Sequence, residues 1–201
     1  HDLGHTPFGH NGEDVLNSVH PGGFHHNLQS LRVVDVLEAT SSRRGMNLTA
    51  EVRDGIVNHT GSGKPFTLEG QVVKISDRVA YINHDIDDAL RSGVISMEDI
   101  PKTALELFGY SHRERINNMV TDLVKNSNGR EEISQSPQFR EELNKLRTFM
   151  FSHVYKSGRV KREEDLAKVE VVISSLYNYF LRDPSRLPDD LRQVAEEDGV
   201  N

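Results

Sequence analysis

The sequence predicts an all-α protein, and two observations support this prediction. Apolar residues recur at intervals of three and four in several segments, among them residues 116–124, 139–154 and 166–180, which is the spacing of one helical face. No segment shows sustained alternation of apolar and polar residues, so any sheet is expected to be no more than a short hairpin. A chain of 201 residues is long enough for one sizeable domain. We therefore expect one helical domain in which these apolar stripes form the core.

Turn-forming residues divide the chain into successive helices. A turn-rich first segment ends at residues 21–23, and three helices with loops between them are then expected. These helices are predicted over residues 27–39, 49–59 and 67–91. Glycine, proline and Ser-Asn-Gly turns separate the later helices. The acidic tail after Pro184 is expected to fray.

Composition excludes several classes of protein. The net charge of -7 disfavours attraction to a nucleic-acid backbone, and the absence of cysteine excludes disulfides, zinc fingers and thiol catalysis. No apolar stretch reaches the roughly 18 to 20 residues of a membrane span, and no signal peptide is visible. A soluble protein of the cytoplasm, without a membrane partner, is therefore expected.

The first thirteen residues, HDLGHTPFGHNGE, hold an unusual density of side chains that can bind a metal. Three histidines, an aspartate and a glutamate stand among small, apolar or turn-forming residues. A fold rarely needs such a density for packing alone. The adjacent His1 and Asp2 offer an imidazole nitrogen and a carboxylate oxygen, a mixed set that suits Mn, Fe, Zn, Ni or Mg. The segment is therefore a candidate metal site.

A second polar pattern lies on the helix predicted over residues 67–91. Its polar side chains are spaced i, i+4, i+7, i+8 and i+11, so they share one face of that helix. These residues are Asp77, Tyr81, His84, Asp85 and Asp88. Apolar residues cover much of the remaining surface, which suggests a deeply packed helix. The polar face is then either a wet surface or the wall of an active site, and the spacing leaves both open.

Together these segments resemble the deoxyguanosine triphosphate triphosphohydrolase (dNTPase) family of the HD-domain superfamily. The resemblance is carried by HDLGHTPFGHNGE, by FHHNLQSLRVVD over residues 24–35 and by SDRVAYINHDIDDA over residues 76–89. It implies an HD-domain helical bundle with additional C-terminal helices. The phosphohydrolase core would cover residues 1–126, and a helical extension of the same domain would cover residues 127–201.

The resemblance also implies a metal and a catalytic pair. The family holds a divalent metal (Mn, Mg, Fe, Ni or Zn) with an upstream histidine, the His-Asp dyad and a distal aspartate. The matching residues here are His1, Asp2 and Asp77, and the upstream histidine falls outside this sequence. We therefore expect this chain by itself to bind metal weakly or not at all. His10 and Glu13 match the catalytic pair, in which Glu13 fixes the tautomer of His10 and raises its basicity.

Five further residues match positions that contact the substrate in this family. By resemblance, His5 and His26 line the phosphate channel and Arg78 contacts the triphosphate. Tyr81 would pack on the deoxyribose, and Asp85 would accept a hydrogen bond from the 3′-hydroxyl. The implied enzyme is a triphosphohydrolase in which water attacks the α-phosphorus of a deoxynucleoside triphosphate such as dGTP. Its products are the deoxynucleoside and intact tripolyphosphate.

Two other functions stay open, and the remaining histidines have plainer interpretations. The alternatives are another HD-type nucleotide phosphohydrolase and a dNTP-binding regulatory module without turnover. The family also implies a homo-oligomer, tuned by a nucleotide or by single-stranded DNA at a separate site. His84 is interpreted as a packed or hydrogen-bonding residue. Surface or capping positions are expected for His20, His25, His59, His112 and His153.

Overall fold

The structure, a computed structural model, describes residues 1–40, 43–157 and 163–199. It confirms the all-α fold. The α-helices are α1 (His10–Val19), α2 (His26–Arg32), α3 (Ala50–Asn58), α4 (Leu68–Arg91), α5 (Lys102–Phe108), α6 (His112–Ser127), α7 (Pro137–Met150), α8 (Glu163–Arg182) and α9 (Asp189–Asp198). Short 3₁₀ turns cover Asp2–Gly4, Met97–Asp99 and Pro184–Arg186, and single π-helical turns extend α2 over Val33–Leu37 and α7 over Phe151–Tyr155.

Among the described residues, the strands form one short antiparallel hairpin, as predicted from the sequence. Strand β1 (Ala39–Thr40) pairs with β2 (Arg43–Arg44), and Ala39 lies opposite Arg44. Two of the helices expected from the sequence, over residues 49–59 and 67–91, are α3 and α4. Each begins after a threonine whose side chain accepts a backbone N–H of the first turn.

The prediction that the tail frays is wrong, because the tail forms α9. Pro188 precedes this helix, and Asp189 and Asp190 occupy its first turn. Carboxylates there interact favourably with the positive end of the helix dipole. The acidic residues that suggested fraying are therefore placed where they favour a helix.

The chain divides into two compact units. The first unit comprises His1–Gly63 and Glu163–Asn201, and the second unit comprises Lys64–Arg162. The division into a core over residues 1–126 and an extension over residues 127–201 stays a prediction. Among the described residues, no helix is both long enough and apolar enough to cross a membrane.

In the first unit, α1 packs against α8, and α2 packs against α3 and the 3₁₀ turn at Asp2–Gly4. His20, half-buried at the end of α1, contacts the Tyr177 hydroxyl of α8 at 3.1 Å through Nδ1, so it has a structural partner rather than a free surface position. Ile173 of α8 is buried, but Val172 is largely exposed and Leu176 is 52 % exposed. The prediction that the whole apolar stripe of α8 is core is therefore wrong in this unit.

The second unit has an extensive apolar core between α4, α5, α6 and α7. Completely buried side chains come from each of these helices, namely Ile82, Ile86, Phe108, Met119 and Met150. The apolar stripe predicted over residues 139–154 is core here, whereas Val120 and Val124 of α6 are exposed. This core supports α4, the helix that carries the predicted substrate contacts of the second unit.

Candidate active site

The His-Asp dyad lies in a 3₁₀ turn that is fixed against α2. A Cβ on Gly4 would lie 2.2 Å from the backbone nitrogen of Ser30, so only glycine permits this close approach. The buried Ser30 hydroxyl accepts the Gly4 N–H at 2.9 Å and donates to the His1 carbonyl. The backbone on both sides of Asp2 is therefore held by Ser30, which was not among the predicted site residues.

The segment between the dyad and α1 is a tight loop. The Thr6 hydroxyl donates to the Gly9 carbonyl at 2.7 Å, and the Gly9 N–H donates to the Thr6 carbonyl at 3.2 Å. Phe8 has a φ of 65°, which is strained for a residue with a side chain. The loop brings the His5 and His10 rings to a centroid distance of 5.9 Å. Strain is therefore stored where two predicted site histidines meet.

Glu13 is the centre of a hydrogen-bonded cluster. One of its oxygens lies 3.2 Å from Nδ1 of His10, and both oxygens lie within 3.0 Å of Nδ1 of His26. The backbone N–H of His26 also donates to Glu13 at 2.9 Å. Burial opposes ionisation of Glu13, but the hydrogen bonds from His26 and His10 outweigh it and hold the pKa of this carboxyl below its ordinary value.

His5 stacks on His26 and is less basic than an exposed histidine. The two rings are 4.2 Å apart between centroids and inclined by 21°. Burial of His5 lowers its pKa, and the neighbouring His26 lowers it further, although Asp2 acts in the opposite direction. The neutral imidazole is therefore favoured at neutral pH, and it can offer a hydrogen bond without a full positive charge.

His59 was expected at the surface or as a cap, and the surface interpretation is wrong. It directly follows α3, where it is 3 % exposed. Its Nδ1 lies 2.6 Å from the Ile56 carbonyl oxygen, and its Nε2 lies 3.3 Å from Nε2 of His26. The ring centroids of His59 and His1 are 4.6 Å apart. A histidine distant in sequence thus joins the cluster formed by the first thirteen residues.

Among the described residues of the first unit, two groups of side chains have donor atoms close enough to share a metal. In one group, donors of His1, Asp2 and His59 lie within 4.8 Å of one another. Imidazole and carboxylate donors together suit a divalent transition metal or Mg, so this set fits the metal that the family implies. The other group is His10, Glu13 and His26, whose proximity is explained by the hydrogen bonds to Glu13.

The second unit carries the other predicted residues on α4. Asp77, Arg78, Tyr81 and Asp85 are all half-buried, whereas His84 and Asp88 are exposed. The exposed His84 was expected to be packed or hydrogen-bonded, and its ring lies 5.1 Å from the His112 ring. Two positions of this polar face are thus exposed and three are half-buried. Neither the exposed-surface interpretation nor the active-site-wall interpretation predicted this mixture.

Two residues of the second unit join the predicted substrate contacts but were missed from the sequence. The Tyr155 hydroxyl donates to a carboxylate oxygen of Asp85. Burial of Tyr155, with this hydrogen bond, raises its pKa strongly, so the phenol keeps its proton. Lys74 lies one helical turn before Arg78. Its burial lowers the pKa of the Lys74 amine, and the nearby positive charge of Arg78 lowers this pKa further. The spacing of Lys74, Arg78 and Tyr81 could have revealed the lysine, whereas nothing in the sequence pairs Tyr155 with Asp85.

The structure thus brings six of the predicted residues into one cluster within the first unit. They are His1, Asp2, His5, His10, Glu13 and His26. The other four predicted residues are Asp77, Arg78, Tyr81 and Asp85, and all belong to the second unit. The roles assigned to all ten stay predictions.

Comparison with known proteins agrees with these features. A family profile described as a phosphohydrolase-associated domain matches residues 133–201. A deoxyguanosinetriphosphate triphosphohydrolase-like protein of Caldanaerobacter subterraneus is 50 % identical over 196 residues, which cover 98 % of this chain and 57 % of the relative. A protein of the same name from Clostridium tetani is 41 % identical, with 100 % of this chain and 59 % of the relative covered.

Similarity extends to relatives of lower identity. A relative of the same name from Bordetella parapertussis is 34 % identical over 254 residues, covering 98 % of this chain and 66 % of the relative. The chain therefore spans about three fifths of the length of the curated relatives it matches. The alignment with the Clostridium tetani relative covers the whole chain, and therefore the His-Asp dyad and the α4 stripe. By this evidence the chain belongs to the family of deoxyguanosinetriphosphate triphosphohydrolase-like proteins.

Proposed function

We propose that the protein hydrolyses deoxynucleoside triphosphates, such as dGTP, to the deoxynucleoside and tripolyphosphate with the help of a divalent metal. The observation that carries this proposal is the Glu13 carboxylate, which receives hydrogen bonds from two histidines beside the His-Asp dyad. The names of the relatives support the class of reaction and the substrate. In the balanced reaction, water adds to the α-phosphorus and the bond from phosphorus to the 5′-oxygen breaks. The 5′-oxygen leaves with a proton.

His10 and Glu13 supply the proton-transfer groups of this reaction. The Glu13 carboxylate only accepts hydrogen bonds, so Nδ1 of His10 carries the hydrogen and the neutral ring has its lone pair on Nε2. The His10 ring is exposed, so Nε2 can reach a bound substrate or water. His10 would then accept a proton from the attacking water and return one to the leaving 5′-oxygen. The depressed pKa keeps Glu13 ionised, which stabilises the His10 imidazolium between these steps.

A divalent metal bound by His1 and Asp2 would orient the substrate phosphate, neutralise its charge and lower the pKa of a bound water. Asp77 is the third ligand that the family resemblance implies. His5 and His26 would contact the phosphates, and the lowered pKa of His5 makes it a neutral hydrogen-bond donor to them. These residues position the phosphates by hydrogen bonds as well as by charge.

The residues of α4 are proposed to select the nucleoside. Arg78 would contact the triphosphate. Tyr81 would pack on the deoxyribose and exclude a 2′-hydroxyl, and Asp85 would accept a hydrogen bond from the 3′-hydroxyl. Tyr155 holds one oxygen of Asp85 through its own hydroxyl, so the carboxylate is oriented before substrate binds. This arrangement favours recognition of the sugar by a fixed acceptor rather than by a mobile one.

The experiment is phosphorus NMR of dGTP incubated with Mn²⁺ and the protein, recorded after the metal is removed by chelation. The 201-residue chain and a chain extended to the full length of the relatives are compared. Tripolyphosphate as the phosphorus product supports the proposal. Inorganic phosphate, pyrophosphate or no product from the extended chain contradicts it.

Variants connect the product to the proposed residues. His10→Gln is expected to slow tripolyphosphate release by a factor of about 10² to 10⁴, the usual contribution of a general acid–base residue. His153→Gln is the matched control, since His153 is exposed and belongs to the second unit. Equal rates for the two variants would exclude His10 as the proton-transfer residue.

A further inference from the structure

We propose that His59 is a ligand of the same divalent metal as His1 and Asp2. This inference rests on the metal dependence in the proposed function and adds a ligand from within the first unit. It replaces the expectation that this chain by itself binds metal weakly or not at all. Sequence spacing does not pair His59 with the dyad, because His59 lies 57 positions after Asp2 along the chain.

The tautomer of His59 is the one that a metal ligand needs. The Ile56 carbonyl oxygen, 2.6 Å from Nδ1, can only accept a hydrogen bond, so Nδ1 carries the hydrogen. In the neutral ring the lone pair is therefore on Nε2. Histidines that bind metals commonly donate their other N–H to a backbone carbonyl, which fixes the ring orientation. His59 has this second interaction in place.

Hydrogen bonds between α2 and the end of α3 also fix the position of His59. The side-chain amide of Asn27 donates to the Val57 carbonyl at 2.7 Å and so fastens the end of α3 to α2. Ser30, also on α2, holds the backbone of His1 and Gly4. The same helix thus positions both the dyad and His59, and their relative placement does not depend on an exposed loop.

The distances suit shared coordination. Nε2 of His1 lies 3.3 Å from a carboxylate oxygen of Asp2, and the donors of these two residues and His59 all fall within 4.8 Å. Ligands about 2.0–2.2 Å from a tetrahedral metal are about 3.3–3.6 Å from one another. Small side-chain rotations therefore bring the three donors onto one ion.

The test measures metal binding and does not require turnover. Zn²⁺ affinity is measured by calorimetry for the 201-residue chain and for two variants, His59→Gln and His25→Gln. His25 is an exposed histidine of the same unit, so its variant is the matched control. We expect the dissociation constant to rise at least tenfold for His59→Gln and to stay unchanged for His25→Gln. Equal affinity of the His59→Gln variant and the wild type would overturn the proposal.

A second measurement on the wild type avoids reliance on the folding of a variant. Long-range ¹H–¹⁵N spectra of the histidine rings are recorded before and after Zn²⁺ is added. The Nε2 resonance of His59 is expected to shift to the range of a metal-bound nitrogen, while Nδ1 stays protonated. An unshifted His59 Nε2, with or without Zn²⁺ bound elsewhere, would overturn the proposal.

The two proposals can fail independently. Coordination of Zn²⁺ by His59 without tripolyphosphate formation would support the ligand and contradict the reaction. Tripolyphosphate formation by a protein whose His59 stays unshifted would support the reaction and contradict the ligand.

Discussion

The interiors of the two units contain different kinds of side chain. In the second unit, the buried cluster is apolar and runs through α4, α5, α6 and α7. Among the described residues of the first unit, the buried hydrophobic side chains are Val34, Ile56 and Ile173. Polar residues buried in the same unit are Thr6, His26, Ser30 and His59. The buried polar residues of the first unit thus include two histidines of the proposed site, His26 and His59.

This difference has a consequence for stability. Burial of an apolar side chain removes its surface from water and stabilises the fold by about 1.5–3 kcal/mol. A satisfied internal hydrogen bond contributes only about 0.5–1.5 kcal/mol net, whereas an unsatisfied buried group costs about 1–3 kcal/mol. We therefore expect the second unit to depend on packing and the first unit to depend on a complete set of polar partners.

The second unit also contains a buried charge, and this charge too has hydrogen-bond partners. Arg115 of α6 is 2 % exposed, and its guanidinium donates to Asp87 at 2.8 Å and to the side chain of Asn83 at 2.9 Å. A buried arginine without such partners would be strongly destabilising. Here the polar network joins α6 to α4 and leaves the apolar core intact, so it serves structure rather than chemistry.

The largest effect is expected from truncation in the apolar core. Phe108 of α5 is 0 % exposed, and its ring lies 5.3 Å from the Phe139 ring. Phe108→Ala removes this contact and leaves a cavity, which should lower the free energy of unfolding by about 3–5 kcal/mol. Urea unfolding followed by circular dichroism measures the change.

The matched control is Phe66→Ala in the same unit. Phe66 is 62 % exposed, so the same chemical change is expected to alter stability by less than about 0.5 kcal/mol. If the two variants were equally stable, packing would not be what distinguishes the second unit.

An intermediate effect is expected from Glu13, the polar centre of the first unit. Glu13→Gln weakens the acceptor of the His10 and His26 hydrogen bonds and should cost about 1–3 kcal/mol at neutral pH. The sign of the pH dependence follows from the pKa. Since the pKa of Glu13 in the fold lies below its ordinary value of 4.5, the carboxylate adds stability above pH 4.5. This contribution is lost as the pH falls through the lower value.

The measurement is the free energy of unfolding of both proteins between pH 7 and pH 3. The difference between wild type and Glu13→Gln is expected to be constant at the upper end and to shrink below pH 4.5. Glu38→Gln, at an exposed position of the same unit, is the control and should show neither the cost nor the trend. A constant difference down to pH 3 would mean that the carboxylate charge does not stabilise the cluster.

The parts of the fold that local sequence determines could be predicted. Helix α4 is an example, because Thr67 caps it and apolar residues recur along it at helical spacing. The helical face of α8 was equally visible, but whether a face is covered depends on distant segments. Ile173 meets such a segment, whereas Leu176 stays largely exposed. Helix α9 was not predicted, because an acidic composition alone suggests fraying. The position of Asp189 and Asp190 in the first turn favours a helix instead.

The candidate site divides in the same way. Residues within the motif, such as His10 and Glu13, were paired through the family resemblance, and their contact within one helical turn agrees with that pairing. His59 and Tyr155 could not be placed, since each meets its partner only through tertiary packing. A weak signal for burial of His59 was present, because Ile56 and Val57 lie three and two positions before it in α3. Such a position favours burial, but it does not identify a partner.

The smallest effect is expected from Tyr155, the polar contact beside the apolar core. Tyr155→Phe removes one hydrogen bond to Asp85 without changing the packing and should cost about 1 kcal/mol of stability. Tyr110→Phe is the control, because Tyr110 is 58 % exposed. Because burial and the Asp85 bond raise the pKa of Tyr155, its phenol keeps its proton above the ordinary value of 10. Stability from this group is thus present at neutral pH and is lost only in strong alkali.

Absorbance at the phenolate band tests this last prediction directly. The sequence has five tyrosines, and wild type and Tyr155→Phe should give the same phenolate signal up to about pH 11, because Tyr155 does not ionise in that range. Tyr110→Phe should lose one tyrosine from the signal. If Tyr155→Phe lost the same amount, the Tyr155 hydroxyl would be open to ionisation. The second unit would then lack the fixed donor that orients Asp85, and its polar residues would be less ordered than those around Glu13.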